Sequence, residues 1–326
     1  MLGGLKGAYD DEMVGKGKAM KLEIKRAFVA IVLTATAAFT MGFGPRGKQV
    51  YGRANENANE TISTQGDKAK QDANGKYAEV NGLRMYYEIH GSGQPLVLLH
   101  GAFGFIEGWA TVLPTLTKTH QVIAIEMEGH GHTRDLDRPL TMEQMAEDTA
   151  ALLKQLRINQ ADFFGYSMGG TVALRVAVRY PELVRKLAIY GSSSGAPKDV
   201  YDPESYKQSQ RLSSDFAPPV LKEPYDRMAP DRARWPVLVT KVKNMVRDFK
   251  GYSEAEMKAI NAQVLIMMGD RDVVRPEHAV EMYRLIPNAQ LAIFPGGDHF
   301  MLWGNPEKIL KTLAPFLDAH KNPSER

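Results

Sequence analysis

The chain of 326 residues contains no cysteine. That excludes disulfides, thiolate metal sites and a cysteine nucleophile together, while leaving the compartment open, because a chain this long can build its core without covalent staples. A basic surplus is also missing. The formal charge is +3, and residues 1–45 hold six Lys/Arg against four acids, so only +1 remains on everything that follows. A near-neutral body lacks the footprint for phosphate-backbone binding, and nucleic acid is not expected as a partner. Residues 46–76 have almost no aromatic or branched apolar side chains and are rich in Asn, Glu, Gln, Lys, Gly and Ala. Such a stretch cannot bury enough surface to offset its ordering entropy, so it reads as a disordered linker.

One long apolar run stands out. Residues 27–43 carry no charge and follow the basic segment Met-Lys-Leu-Glu-Ile-Lys-Arg at 20–26, the pattern of a secretory signal, with Met20 a better start for it than Met1. Its 17 residues rise about 26 Å as a helix, just short of the ~30 Å hydrocarbon core. A cleaved signal and a retained anchor both remain open. Either one exports the remainder, to the periplasm or beyond, and any membrane contact is expected through residues 27–43 alone.

From 77 to 322 strand-like and helix-like segments alternate, which predicts an α/β fold with a mostly parallel central sheet flanked by helices. Runs at 77–80 and 83–90 flank Asn81-Gly82, a hairpin turn signal, since both turn positions tolerate positive φ. Short apolar strands are expected at 95–100, 121–126, 161–164, 187–190, 264–268 and 291–294. Helices are expected at 141–156, with Thr141 as N-cap and Gln144 completing a capping box, at 167–179 and at 306–319. Residues 195–258 break the alternation: they have no strand-like run and seven prolines, and read as an inserted helical cap over the site. Trp235, Met228 and Val237 are its candidate pocket-facing residues.

Gly165-Tyr166-Ser167-Met168-Gly169 is G-x-S-x-G between a strand and a helix, the context in which that motif presents a nucleophile on a tight turn. A serine hydroxyl is a poor nucleophile at neutral pH and needs a base, which in turn needs an orienting acid. Downstream, Gly269-Asp270-Arg271-Asp272 and Gly296-Gly297-Asp298-His299 each follow a strand, where open α/β sheets place their sites. His299 is the only histidine in such a position, which selects it as the base. Asp272, Asp270 and Asp298 are the acids within reach of the argument.

Five motifs in order now carry a resemblance: H-G-A-F-G at 100–104, E-M-E-G-H-G-H-T at 126–133, G-Y-S-M-G-G at 165–170, G-D-R-D-V-V-R-P at 269–276 and G-G-D-H-F at 296–300. From 77 to about 320 the chain resembles the α/β-hydrolase superfamily, in its serine esterase-like branch with a helical cap. The resemblance implies Asp272 as the acid, and oxyanion-hole donors at Met168, the residue after the nucleophile, and Ala102, with Phe103 as fallback. Phe103, Phe105 and Trp109 are apolar candidates for the substrate pocket, beside Trp235 from the insertion. Glu126, Glu128, His130 and His132 invite a metal reading, but their spacing matches a turn of the superfamily in which charged residues support the loop, with Glu126 in place of its usual Asp and Thr133 in place of its usual Ser. No metal and no cofactor are expected. The implied activity is hydrolysis of a small carboxylic ester, lactone or thioester through an acyl-enzyme. A carbon–carbon hydrolase, a cofactor-free haloperoxidase or perhydrolase, and a slow ligand-sensing receptor use the same scaffold and triad.

Overall fold

In the computed structural model, residues 75–215 and 219–319 are described. The expected signal or anchor at 27–43, and the linker up to residue 74, lie outside them. Gly75 and Lys76, which composition assigned to the linker, instead belong to the first strand and pair with Glu88 and Tyr87 of the second.

Eight strands form one sheet: β1 (Gly75–Val80), β2 (Leu83–His90), β3 (Gln94–Leu99), β4 (His120–Ile125), β5 (Ala161–Tyr166), β6 (Val184–Tyr190), β7 (Gln263–Arg271) and β8 (Ala289–Asp298). Their order is β1-β2-β4-β3-β5-β6-β7-β8. β2 runs antiparallel to β1 and β4, and every other pair is parallel. The β1–β2 turn has φ of 50° at Asn81 and 79° at Gly82, as the Asn-Gly pair predicts.

The helices are α1 (Leu113–Leu116), α2 (Met142–Gln155), α3 (Met168–Arg179), α4 (Pro197–Val200), α5 (Pro203–Arg211), α6 (Pro219–Met228), α7 (Trp235–Asp248), α8 (Glu254–Lys258), α9 (Pro276–Leu285), α10 (Met301–Gly304) and α11 (Pro306–Asp318). Successive strand side chains point to opposite faces, so each strand feeds two cores. Val97, Leu99, Phe163, Leu187 and Ile266 pack with α2, α3 and α9 on one face. Leu96, Leu98, Phe164, Ala188 and Leu265 pack with α1 and α11 on the other. All of these strand residues are buried, and each except the small Ala188 contributes roughly 1.5–3 kcal/mol by leaving water.

Two local expectations change. Thr141 does accept the Gln144 N–H at 3.1 Å, but the Gln144 side chain turns to Asp148 Oδ1 at 2.9 Å instead of returning to the N-cap. The Gln144 amide nitrogen donates to a buried carboxylate one turn along, and a hydrogen bond to a charged acceptor outweighs the neutral one its oxygen would accept from the N-cap N–H. Helix α9 had no counterpart in the sequence reading.

The segment between β6 and β7 is helical, from α4 to α8, and its two ends lie side by side. Gly195 pairs with Gly251, and Tyr252 N–H donates to Ser194 O at 2.7 Å. His278 Nε2 accepts the N–H groups of both Ser194 and Gly195 at 3.2 Å, which fixes the start of the insertion to α9. Further out, Arg234 and Lys241 of the insertion both pair with the buried Asp135 of the main body.

Candidate active site

The strand ends bring the chemistry together. Ser167 sits between β5 and α3 with φ 53° and ψ −122°, a left-handed backbone that a non-glycine residue adopts only under constraint. The glycines around it supply the constraint. A methyl group on Gly169 would lie 2.0 Å from the Leu99 carbonyl oxygen, and one on Gly165 2.4 Å from Gly170 Cα. The chain therefore crosses β3 and turns into α3 at closest contact, and the turn lifts Ser167 above the sheet.

His299 follows β8 and Asp272 follows β7. His299 Nε2 lies 3.0 Å from Ser167 Oγ, and its Nδ1 lies 2.6 Å from Asp272 Oδ1. With a carboxylate as partner, Nδ1 carries the proton and donates it to Asp272, which leaves Nε2 free to accept from the serine hydroxyl. The Asp272 side chain is fully buried. Asp270 is exposed and Asp298 bonds locally, its Oδ1 accepting from Phe300 N–H at 2.9 Å, so neither reaches the imidazole.

Several supports of this arrangement were not singled out in the sequence. Tyr166 OH donates to His299 O at 3.0 Å and Tyr190 OH to Asp298 O at 2.5 Å, so two strand-end tyrosines hold the loop of His299. Burial, with the nearby Asp272 charge, raises the pKa of both phenols, which keeps them neutral donors. Gly191, at φ 60°, lies beneath the dyad, and a methyl group there would sit 2.9 Å from His299 Nδ1 and 3.0 Å from Asp272 Oδ2. Tyr166 lies inside the elbow motif and Gly191 directly after a strand, but neither position signals its role in the sequence.

Met168 is the first residue of α3, where backbone N–H groups and the helix dipole favour negative charge. Ala102 lies in a turn closed by Gly104 N–H donating to Gly101 O at 3.0 Å, and it lines the same small space as Met168. His100 braces that turn. Its Nδ1–H donates to Gly101 O at 2.8 Å and its Nε2 accepts Met127 N–H at 3.1 Å, while burial lowers its pKa to about 3, so it is neutral.

The residues that invited a metal reading are engaged with the loop itself. Glu126 accepts the N–H groups of Ile106 and His132 and pairs with the His132 ring, and Glu128 accepts Leu136 N–H and pairs with Arg138. His130 bonds to Glu128 O, and burial lowers its pKa to about 4.

Two cavities flank the elbow. The larger, about 530 Å³, is lined by Phe103, Phe105, Trp109, Phe300 and Trp303 from the main body and by Leu221 and Pro224 of α6. The smaller, about 50 Å³, is lined by Ser167 and Met168 and by Met142, Met245 and Phe249. Ala102 lines both. Of the pocket candidates, Phe103, Phe105 and Trp109 face the large cavity, but Trp235 does not. It is buried between Phe103 and Tyr225, at ring distances of 5.5 and 5.2 Å, and reaches the cavity only through Phe103. Met228 and Val237 line neither cavity; the neighbouring turns of α6 supply that wall instead.

The family profile described as "Alpha/beta hydrolase family" matches residues 96–312, about two thirds of the chain. The chain belongs to the α/β-hydrolase family. It is 27% identical over 270 residues to 2-hydroxymuconate semialdehyde hydrolase of Pseudomonas sp. strain CF600, covering 72% of this chain and 91% of that protein. It is 24% identical to the sn-1-specific diacylglycerol lipase ABHD11 of Danio rerio, over 77% of this chain and 87% of that one. Among solved structures, the enol-lactonase of Burkholderia xenovorans LB400 superposes with a TM-score of 0.61 at 22% identity, covering 75% of this chain and all of its own, a likeness of fold. This α/β-hydrolase is an enzyme whose relatives are hydrolases of several kinds.

Proposed function

We propose that this α/β-hydrolase cleaves a carboxylic ester, or a close relative such as a lactone or thioester, through an acyl-enzyme on Ser167. The observation that carries the reading is the continuous line from Asp272 through His299 to Ser167 Oγ, at 2.6 and 3.0 Å, on a strained strand-to-helix turn. Ser167 Oγ attacks the carbonyl carbon while its proton passes to His299 Nε2, and Asp272 stabilises the imidazolium that forms. Charge on the carbonyl oxygen is met by the N–H groups of Met168 and Ala102, each worth about 3–4 kcal/mol in such a role. The C–O bond then breaks as His299 returns the proton to the leaving alcohol. Water repeats the sequence on the acyl-enzyme: its proton goes to His299 and then back to Ser167 Oγ, and a carboxylic acid departs. The chemistry asks for no cofactor.

Ser167→Ala tests this directly. The variant is expected to lose fluorophosphonate labelling and to drop ester turnover by several orders of magnitude while keeping its melting temperature. Full labelling of the folded variant would place the nucleophile elsewhere.

A second reading, hydrolysis of a carbon–carbon bond in a vinylogous diketone, draws on the similarity to 2-hydroxymuconate semialdehyde hydrolase. It needs the same triad and a carbanion leaving group protonated in place of an alcohol. Turnover of such a diketone well above that of any p-nitrophenyl ester favours it. Residues 27–43 are proposed to export the enzyme, as a signal or an anchor.

A further inference from the structure

A solvent-open groove of about 620 Å³ runs between residues 137–143 and the C-terminal half of α7. Asp137, Pro139, Glu143, Asp248 and Lys250 along its rim are exposed. Ser167 is not among its lining residues. Yet Met142, Met245 and Phe249 line this groove and also line the small chamber on the nucleophile, so these three side chains are the wall between them. We propose that they form an openable gate, and that an acyl chain too long for the chamber threads through it into the groove. This deepens the serine-hydrolase reading and rests on it.

The size of the chamber is the first reason. At the ~10–15 Å³ that one water-sized particle needs, about 50 Å³ holds only three to five such groups, an acetyl to butyryl unit. Anything longer must displace the wall or go elsewhere.

The direction follows from the chemistry. The leaving oxygen must take its proton from His299, and the residues directly after His299 in the chain, Phe300, Leu302 and Trp303, line the large cavity. The alcohol therefore belongs on that side. Ala102 borders both spaces, which places the carbonyl oxygen at their junction and the acyl group in the chamber bounded by Ser167 and Met168.

The wall is suited to moving. Two of its three members are methionines, unbranched and able to change rotamer at low cost. They come from different units: Met142 opens α2 in the main body, whereas Met245 ends the buried face of α7 and Phe249 is its C-cap. No backbone need shift for a methionine to swing aside.

The groove is also suited to an alkyl chain instead of an anion. Leu140, Pro139 and the gate side chains give it an apolar bed. Two of the three cations along it are already paired, Arg138 with Glu128 and Asp148, and Lys241 with Asp135, and the third, Lys250, is exposed on a rim that also carries Asp137, Glu143 and Asp248.

The test is an acyl series, p-nitrophenyl acetate to decanoate, on wild type, Met245→Ala, Phe249→Ala and Asn244→Trp, the last adding bulk to the groove. Fluorophosphonate labelling of Ser167 and thermal melting accompany each protein. We expect wild type to turn over octanoate, the two truncations to raise the octanoate-to-acetate ratio of kcat/KM tenfold or more, and Asn244→Trp to lower it by a similar factor. Ratios within twofold of wild type in all three folded variants overturn the gate. So does a wild type that labels at Ser167 but cleaves nothing longer than butyrate, since its wall never opens. If octanoate selectivity instead responds to Leu221→Ala in the large cavity, the acyl group lies on the other side and the proposal fails. Absence of labelling at Ser167 in wild type would sink the serine-hydrolase reading itself, a separate outcome.

Discussion

The loops at the strand ends and the helical insertion build opposite sides of one site with different materials. Around the elbow, polar atoms meet main-chain partners at fixed distances: His100 with Gly101 and Met127, Tyr166 with His299, Glu126 with Ile106 and His132. Most of these bonds lie in loops that leave the strand ends. The insertion contributes apolar side chains, Leu221, Pro224, Met245 and Phe249, and joins the body through its paired ends and the ion pairs on Asp135. None of the residues of α5 is buried. The strand-end side cannot adjust without losing geometry, while the insertion can be repacked side chain by side chain. Substitutions of the hydrogen-bonded strand-end groups should therefore act on the chemical step, and those of the apolar wall, most freely in the insertion, on substrate choice.

The widest contrast is expected at the acid. Asp272→Asn should cost about 10⁴-fold in kcat, because the amide holds the imidazole in the wrong tautomer. Asp270→Asn, at an exposed site, should cost far less. Steady-state kinetics on one ester decides it, and the reverse ordering would mean that Asp270 orients the base.

Glu107 sharpens the comparison, as a strand-end group set into the cavity that the insertion closes. Its Oε2 is buried with no hydrogen-bond partner, and burial, reinforced by Glu126, raises its pKa to about 7. A raised carboxyl pKa in the folded state gives stability that is complete below about pH 4.5 and is lost as pH rises through 7. A shift of that size corresponds to at most roughly 3 kcal/mol. Glu107→Gln should flatten that part of the stability profile and be the more stable protein at pH 8.5. Urea unfolding from pH 4.5 to 8.5 checks it, and superimposable profiles for the two proteins would show that Glu107 ionises freely.

The smallest effect belongs to the insertion. Leu221→Ala should change kcat/KM unevenly along a series of acetate esters of lengthening alcohols, by about 1–3 kcal/mol where the alcohol reaches α6. An equal slowing of every ester in the folded variant would give the insertion a part in the chemical step.

What could be read from the sequence divides along the same boundary. The eight strands, the elbow at Ser167 and the place of His299 after a strand are local signals: an apolar run, a glycine spacing, a motif after a strand; Asp272 is set apart from Asp270 by the family resemblance alone. Their positions in space follow once the strands pair. Gly191 and the two tyrosines carry no local signal for their roles, because those roles depend on which strand ends are neighbours. Trp235 shows the same limit in the insertion. Its size and apolarity suited a pocket wall, but burial against Tyr225 and Phe103 satisfied it first, and the wall fell to residues on α6. Gln144 failed as half of a capping box for a related reason, since Asp148 competed for its amide.

The phenol bonds of Tyr166 and Tyr190 end on the carbonyl oxygens of residues 299 and 298, not on their side chains. His299 thus hangs from the sheet by atoms that every amino acid possesses. Sequence drift at position 298, or along the Phe300–Trp303 wall that follows, can proceed without untying that suspension. A lineage is then free to exchange one substrate for another by rewriting the wall beside the histidine, while the histidine itself stays hung in the same place.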